Sequence, residues 1–148
     1  MGSPDRRGTE PGTVPGNPLA LIGSAHEWSS RALASLLQGK GYAVLLAHTG
    51  AATQDQARTA RPDVILLDTT LSDMDDMELC RILRGDPLIA PRTAIITLSA
   101  EAPTEEKRLA ALQAGASDVL SSSLLFEEVF RALDAFVGAK RVADQAPE

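Results

Sequence analysis

The chain has 148 residues, 44% hydrophobic and 23% charged, which is the mix of one soluble globular domain rather than of a disordered chain. Its 14 basic and 20 acidic side chains leave a net charge of −6, the wrong sign for a nucleic-acid surface, which needs a Lys/Arg stripe to displace counterions from phosphate. The single cysteine excludes an internal disulfide, and the apolar run Ala43–Ala47 falls far short of the roughly 20 residues that cross a bilayer, so the expected setting is cytoplasmic.

Residues 1–17 hold four Gly, three Pro and no aromatic residue, too little apolar surface to offset the entropy of ordering them. They are expected to form a disordered tail before a domain over residues 18–140, with a short polar tail at 141–148. No effector domain is expected after it. The first apolar run, Leu19–Ile22, reads as a strand. Trp28, Leu33, Leu36 and Leu37 then share a helical face, closed by Gly39 and Gly41. That spacing predicts Trp28 packed against the sheet or the loop after the first strand. Tyr42–Ala47 is the second strand. The segment 51–60 is the weakest helix, with Ala57 its one clear core residue. Val64–Leu67 is the third strand.

Asp75, with Glu78 three residues on, has the spacing of a capping box and opens a helix carrying Leu79, Cys80, Ile82 and Leu83. Ala94–Leu98 follows as the fourth strand. Thr104, Glu105 and Glu106 start the next helix, where negative charge suits the positive helix end. Val119–Leu120 is the fifth strand, and Leu125, Val129, Leu133 and Phe136 line the last helix. Five strands alternating with five helices predict an α/β fold, a doubly wound five-stranded parallel sheet with helices on both faces.

Ligands in such folds bind beyond the carboxyl ends of the strands, where strand order reverses. The residues at those ends are Gly23 and Ser24, then Asp68 to Thr70, then Ser99, then Ser121 to Ser123. Asp68 at the end of a buried strand, with a hydroxyl at a neighbouring strand end, is the main constellation. A carboxylate there is costly to desolvate unless it meets donors or a cation. Ser121 to Ser123 either bind an anion at the start of the last helix or form a polar loop and N-cap. Cys80 sits on an apolar stripe and reads as a structural thiol. His48 reads as solvated.

The stretch Pro62-Asp63-Val64-Ile65-Leu66-Leu67-Asp68, followed by Met74-Asp75 and Glu78-Leu79, resembles the centre of a response-regulator receiver domain. Ala94-Ile95-Ile96-Thr97-Leu98-Ser99-Ala100 and Ala114-Gly115-Ala116-Ser117-Asp118-Val119-Leu120 are similar to its second half. The likeness covers Leu19 to Val137. It implies the flavodoxin-like receiver fold, phosphorylation of Asp68 with Mg²⁺ by a partner histidine kinase, and a switch role for the Ser99 hydroxyl. The departures are specific. The family's acidic pair, which holds Mg²⁺, is matched to Gly23 and Ser24. Its lysine is matched to Ser122 and the proline after it to Ser123. The Pro and Gly of the loop after the aspartate are Ser72 and Asp76, and the aromatic switch residue is Val119.

Mg²⁺ prefers near-octahedral oxygen ligands, so a weak site of Asp68, the Thr70 carbonyl and water is all that the resemblance leaves. Glu27 is a candidate to swing toward it, and His26 a candidate hydrogen-bond donor. Asp73, Asp75 and Asp76 either attract a cation or cap and solvate a loop. Phosphoryl transfer depends on cations at the equatorial oxygens, and both usual sources are missing. The expectation is a stand-alone, atypical receiver in a phosphorelay or two-component pathway, not an enzyme. It would act by binding a histidine kinase, a phosphotransfer protein or an effector through the face from Glu101 to Lys140. The alternatives are an active phosphoacceptor at Asp68, and a small-ligand sensor using the crevice beside Gly23, Ser24 and Ser122.

Overall fold

In the computed structural model the described residues are 17–68, 71–121 and 126–145, with no side chains described from 139 onward. The elements are β1 (Leu19–Gly23), α1 (Glu27–Gly39), β2 (Ala43–Ala47), α2 (Gly50–Ala60), β3 (Val64–Asp68), α3 (Asp76–Gly85), β4 (Ala94–Ser99), α4 (Glu105–Ala114), β5 (Asp118–Ser121) and α5 (Phe126–Gln145). Every neighbouring pair of strands is parallel, in the order β2-β1-β3-β4-β5. Strand order therefore reverses between β1 and β3, and the crevice lies at their carboxyl ends. The expected α/β architecture and all five strands are present.

The strands explain their composition. Val64, Ile65, Leu66 and Leu67 are all fully buried, because helices cover both faces of β3. Alternation along each strand splits the core in two. Leu21, Ile65, Leu67 and Ile95 pack under α2, α3 and α4 with Leu79 and Leu83. Ala20, Ile22, Leu66 and Ile96 pack under α1 and α5 with Leu37 and Leu133. Each fully buried leucine or isoleucine contributes about 1.5–3 kcal/mol.

The caps follow the sequence closely. Asp75 accepts from the Met77 and Glu78 amides, Thr104 from the Lys107 amide and Thr49 from the Ala52 amide. The weak segment 51–60 is a helix, and Gly50, Thr53 and Ala57 form its buried side. It is held from outside as well, since the Asp73 carboxylate accepts from the Gly50 and Ala51 amides at 2.7 and 3.0 Å. Arg84 ties the far end of the sheet. Its guanidinium donates to the carbonyls of Gly115, Pro91 and Thr93 at 3.0, 3.1 and 2.9 Å.

Trp28 corrects the sequence reading. It is 88% exposed, and Leu36 is 48% exposed. The buried residues of α1 are Ser30, Ala34 and Leu37. Trp28 lies two residues before Ser30, roughly 200° around the helix, and so faces away from the sheet. The last helix also runs on to Gln145, through part of the segment read as a tail. The expected N-terminal tail up to Gly16, Leu125, and the proposed site residues Thr70, Ser122 and Ser123 lie outside the described residues.

Candidate functional site

Asp68 ends β3 at the switch point and is partly buried. Ser24, just past the end of β1, is 2% exposed. Its hydroxyl donates to Asp68 Oδ2 at 3.1 Å, while its oxygen accepts from the His26 amide at 3.1 Å. The Ser24 amide is used too, donating to the Ala47 carbonyl at 2.9 Å. Ser24 is thus locked in place by β2, by the start of α1 and by Asp68 itself. A hydrogen bond to an ionised carboxylate is among the stronger neutral-to-charged contacts.

Gly23 does not join them. A Cβ there would meet Thr53 Oγ1 at 2.6 Å and Leu67 Cδ2 at 3.4 Å, on the α2 side of the sheet. Asp68 follows Leu66 by two and shares its face, the side of α1 and α5. An acid at position 23 would therefore point away from Asp68 and into the buried Thr53. Strand alternation sends a Cβ at position 23 toward Thr53 and the Ser24 side chain toward Asp68. Only Ser24 faces the crevice, and the next residue on its loop is Ala25, which carries no ligand.

The other candidates disperse. Glu27 pairs with Arg31 at 3.5 Å on the exposed side of α1. His26 is exposed at the N-cap of α1 and makes no side-chain cap bond. His48 is exposed, yet its Nδ1 lies 3.0 Å from the Ser24 carbonyl oxygen and ties the β2 loop to the crevice. Asp73 caps α2, and backbone N–H bonds from Gly50 and then Ala51 hold its carboxyl below the ordinary aspartate range. Asp76 goes the other way, raised by burial first and then by neighbouring Asp75. Cys80 is buried, and burial pushes its thiol up to about 12, so it carries no nucleophile at neutral pH.

Two clefts flank the strand ends. One, of about 330 Å³, is bounded by Ser24, Asp68, Ile22, Leu33, Phe126 and Val129, between α1 and α5. Ser99 lies in the other, with Asp75, Asp76, Thr97 and Val119, on the α3 and α4 side. Ser99, the residue expected to answer Asp68, thus lines a different cleft from Asp68. Thr97 joins this cleft too, and its one signal in the sequence is a polar side chain inside the apolar run of β4.

A Mg²⁺ ion does not fit the described donor set. Hard cations of this kind take anionic and carbonyl oxygens in octahedral array. Asp68 supplies one carboxylate, and its neighbour across the crevice is a neutral hydroxyl that donates to it. Among the described residues no group of three or more His, Cys, Asp or Glu side chains is placed to hold a metal.

The response-regulator receiver domain pattern matches residues 22–134. The chain belongs to that family and is a receiver domain of the two-component response-regulator kind. It is 36% identical over 110 residues to response regulator MprA of Mycobacterium tuberculosis (strain ATCC 25618 / H37Rv), covering 74% of this chain and 46% of the relative. It is likewise 36% identical over 112 residues to response regulator MprA of Mycobacterium avium (strain 104). The chain thus spans about half the length of these curated relatives. Among solved structures it resembles the Francisella response regulator 1452 receiver domain, with a TM-score of 0.76 and 22% identity over 84% of this chain and 99% of that one. A putative response regulator from Chloroflexus aurantiacus J-10-fl gives a TM-score of 0.75 and 25% identity, over 82% and 98%. Among the described residues no helix is long and apolar enough to cross a membrane.

Proposed function

We propose that this chain is an atypical receiver that signals by protein–protein interaction, without Mg²⁺-dependent phosphorylation and without enzymatic activity of its own. One observation carries the reading: the Ser24 hydroxyl bonds Asp68 Oδ2, where a metal-holding carboxylate would have to face that aspartate. A neutral donor at that point gives Asp68 a partner other than a cation, and among the described residues no cluster of acidic side chains is placed to bring a cation to an incoming phosphoryl group. The partner is a signalling protein of the same pathway, a histidine kinase, a phosphotransfer protein or an effector. The face built by α4, β5 and α5 supports this, since Leu109 and Leu112 on α4 are 52% and 42% exposed among charged neighbours. A cytoplasmic setting belongs to the same proposal.

The test is the intact mass of the purified chain after incubation with Mg²⁺ and acetyl phosphate, beside an Asp68→Asn control. The expected result is no added phosphate in either protein. A gain of one phosphate that the Asp68→Asn variant lacks would overturn the proposal and make Asp68 a working phosphoacceptor.

A further inference from the structure

The cleft between α3 and α4 is distinct from the Asp68 crevice and independent of how that crevice is read. It measures about 490 Å³ and is lined by Asp75, Asp76, Thr97, Ser99, Glu101 and Lys107, with Val119 and Met77 on its apolar wall. Thr97 sits in its lining from the middle of β4, between Leu67 on β3 and Val119 on β5. It is 1% exposed, and its Oγ1 is the one buried side-chain oxygen or nitrogen among the described residues without a hydrogen-bond partner. A valine would fill the same volume without that cost, so the fold itself has no use for the hydroxyl. The lining is charged and unbalanced, with three acidic residues, Asp75, Asp76 and Glu101, and a single lysine, Lys107. Asp75 is partly spent on capping α3, through one oxygen. Asp76 is left in a partly buried place beside it, where burial and the neighbouring carboxylate disfavour its charge.

We propose that this cleft is a binding site for a small basic amino acid or a close analogue. The ligand carries one carboxylate for Lys107, an excess of positive charge for Asp76 and its acidic neighbours, and a polar group that satisfies Thr97. Each part answers a separate deficit. The single lysine selects a ligand with one anionic group. The surplus of acids demands more than one cationic group. The unpartnered hydroxyl, able to donate and to accept, needs a polar atom at the floor. Val119 and Met77 give the aliphatic stem an apolar wall.

The test is a titration of the ¹⁵N-labelled full chain with L-arginine, followed by amide chemical shifts. Agmatine, which lacks the carboxylate, and L-glutamate, which reverses the charge, are run in parallel. Saturable shifts centred on Thr97, Asp76 and Lys107 are expected with arginine. Asp76→Asn should weaken binding about tenfold. Thr97→Val, which keeps shape and fold, should weaken it several-fold. Lys107→Ala should weaken arginine about tenfold while leaving agmatine unchanged, a split that loss of structure could not produce. The proposal is overturned by any of three results. The first is no saturable shift with arginine up to about 20 mM. The second is shifts that persist unaltered in Asp76→Asn and Thr97→Val. The third is glutamate binding as tightly as arginine.

Discussion

Replacing Ser24 by aspartate puts a carboxylate where the structure has a hydroxyl, 3.1 Å from Asp68 Oδ2. Two effects add. The lost hydrogen bond to a charged acceptor costs about 1.5–3 kcal/mol. Two carboxylates about 4 Å apart repel by about 4 kcal/mol at an effective dielectric of about 20, which solvent and partial protonation reduce. Asp68 is only partly buried, so a net loss of about 3 kcal/mol is expected in EDTA, or roughly 10 °C in Tm for a domain of this size. Ser24→Ala, which removes the donor alone, should lose about 1.5–3 kcal/mol. Mg²⁺ should restore most of the Ser24→Asp loss, because two facing carboxylates make the beginning of a hard-cation site. The assay is thermal unfolding by circular dichroism of the natural chain and both variants, each in EDTA and in Mg²⁺. The natural chain should melt at the same temperature in both. A natural chain that gains as much from Mg²⁺ as the variant does would refute the reasoning, as would a Ser24→Asp protein that melts in EDTA like the natural one.

Gly23→Ala should destabilise by about 1–3 kcal/mol in urea unfolding, since its Cβ would lie 2.6 Å from Thr53 Oγ1 in the buried core; adding Thr53→Ala should recover much of that loss. Asp73→Asn and Asp76→Asn should give opposite pH profiles of stability. Asp73 is held below the ordinary 3.8, so it stabilises above that value, and the deficit of Asp73→Asn should vanish as pH falls through the depressed pKa. Asp76 is raised above 3.8, so its ionisation opposes folding, and Asp76→Asn should be the more stable protein at neutral pH and lose that advantage below 3.8. Cys80, with its thiol pushed up to about 12, should react with a disulfide reagent at pH 8 only as fast as the chain unfolds; rapid labelling of the folded chain would contradict its burial.

Local pattern carried most of the fold. Short apolar runs marked all five strands, unbroken in β3, because a parallel sheet covered on both sides leaves little polar alternation to confuse them. Thr49, Asp75 and Thr104 cap where short polar side chains stand before a helix. The face of α1 that meets the sheet is not the one its large apolar residues mark. Spacing finds a stripe, but large apolar residues are not always the ones that touch the sheet. Here the contact is made by Ser30, Ala34 and Leu37, and Trp28 is left outside.

What the sequence determined by itself is the order and kind of the elements and the place of Asp68 at a strand end, both of which depend on neighbours along the chain. Tertiary structure alone decided which of those neighbours face one another. Gly23 and Ser24 are adjacent in sequence, yet strand alternation sends one toward Thr53 and the other to Asp68. Asp73 and Gly50 are far apart in sequence, yet the carboxylate of one caps the helix of the other. The deficit at Thr97 exists only in three dimensions, because a hydroxyl is left unsatisfied only once folding has set which groups lie around it and none of them pairs with it.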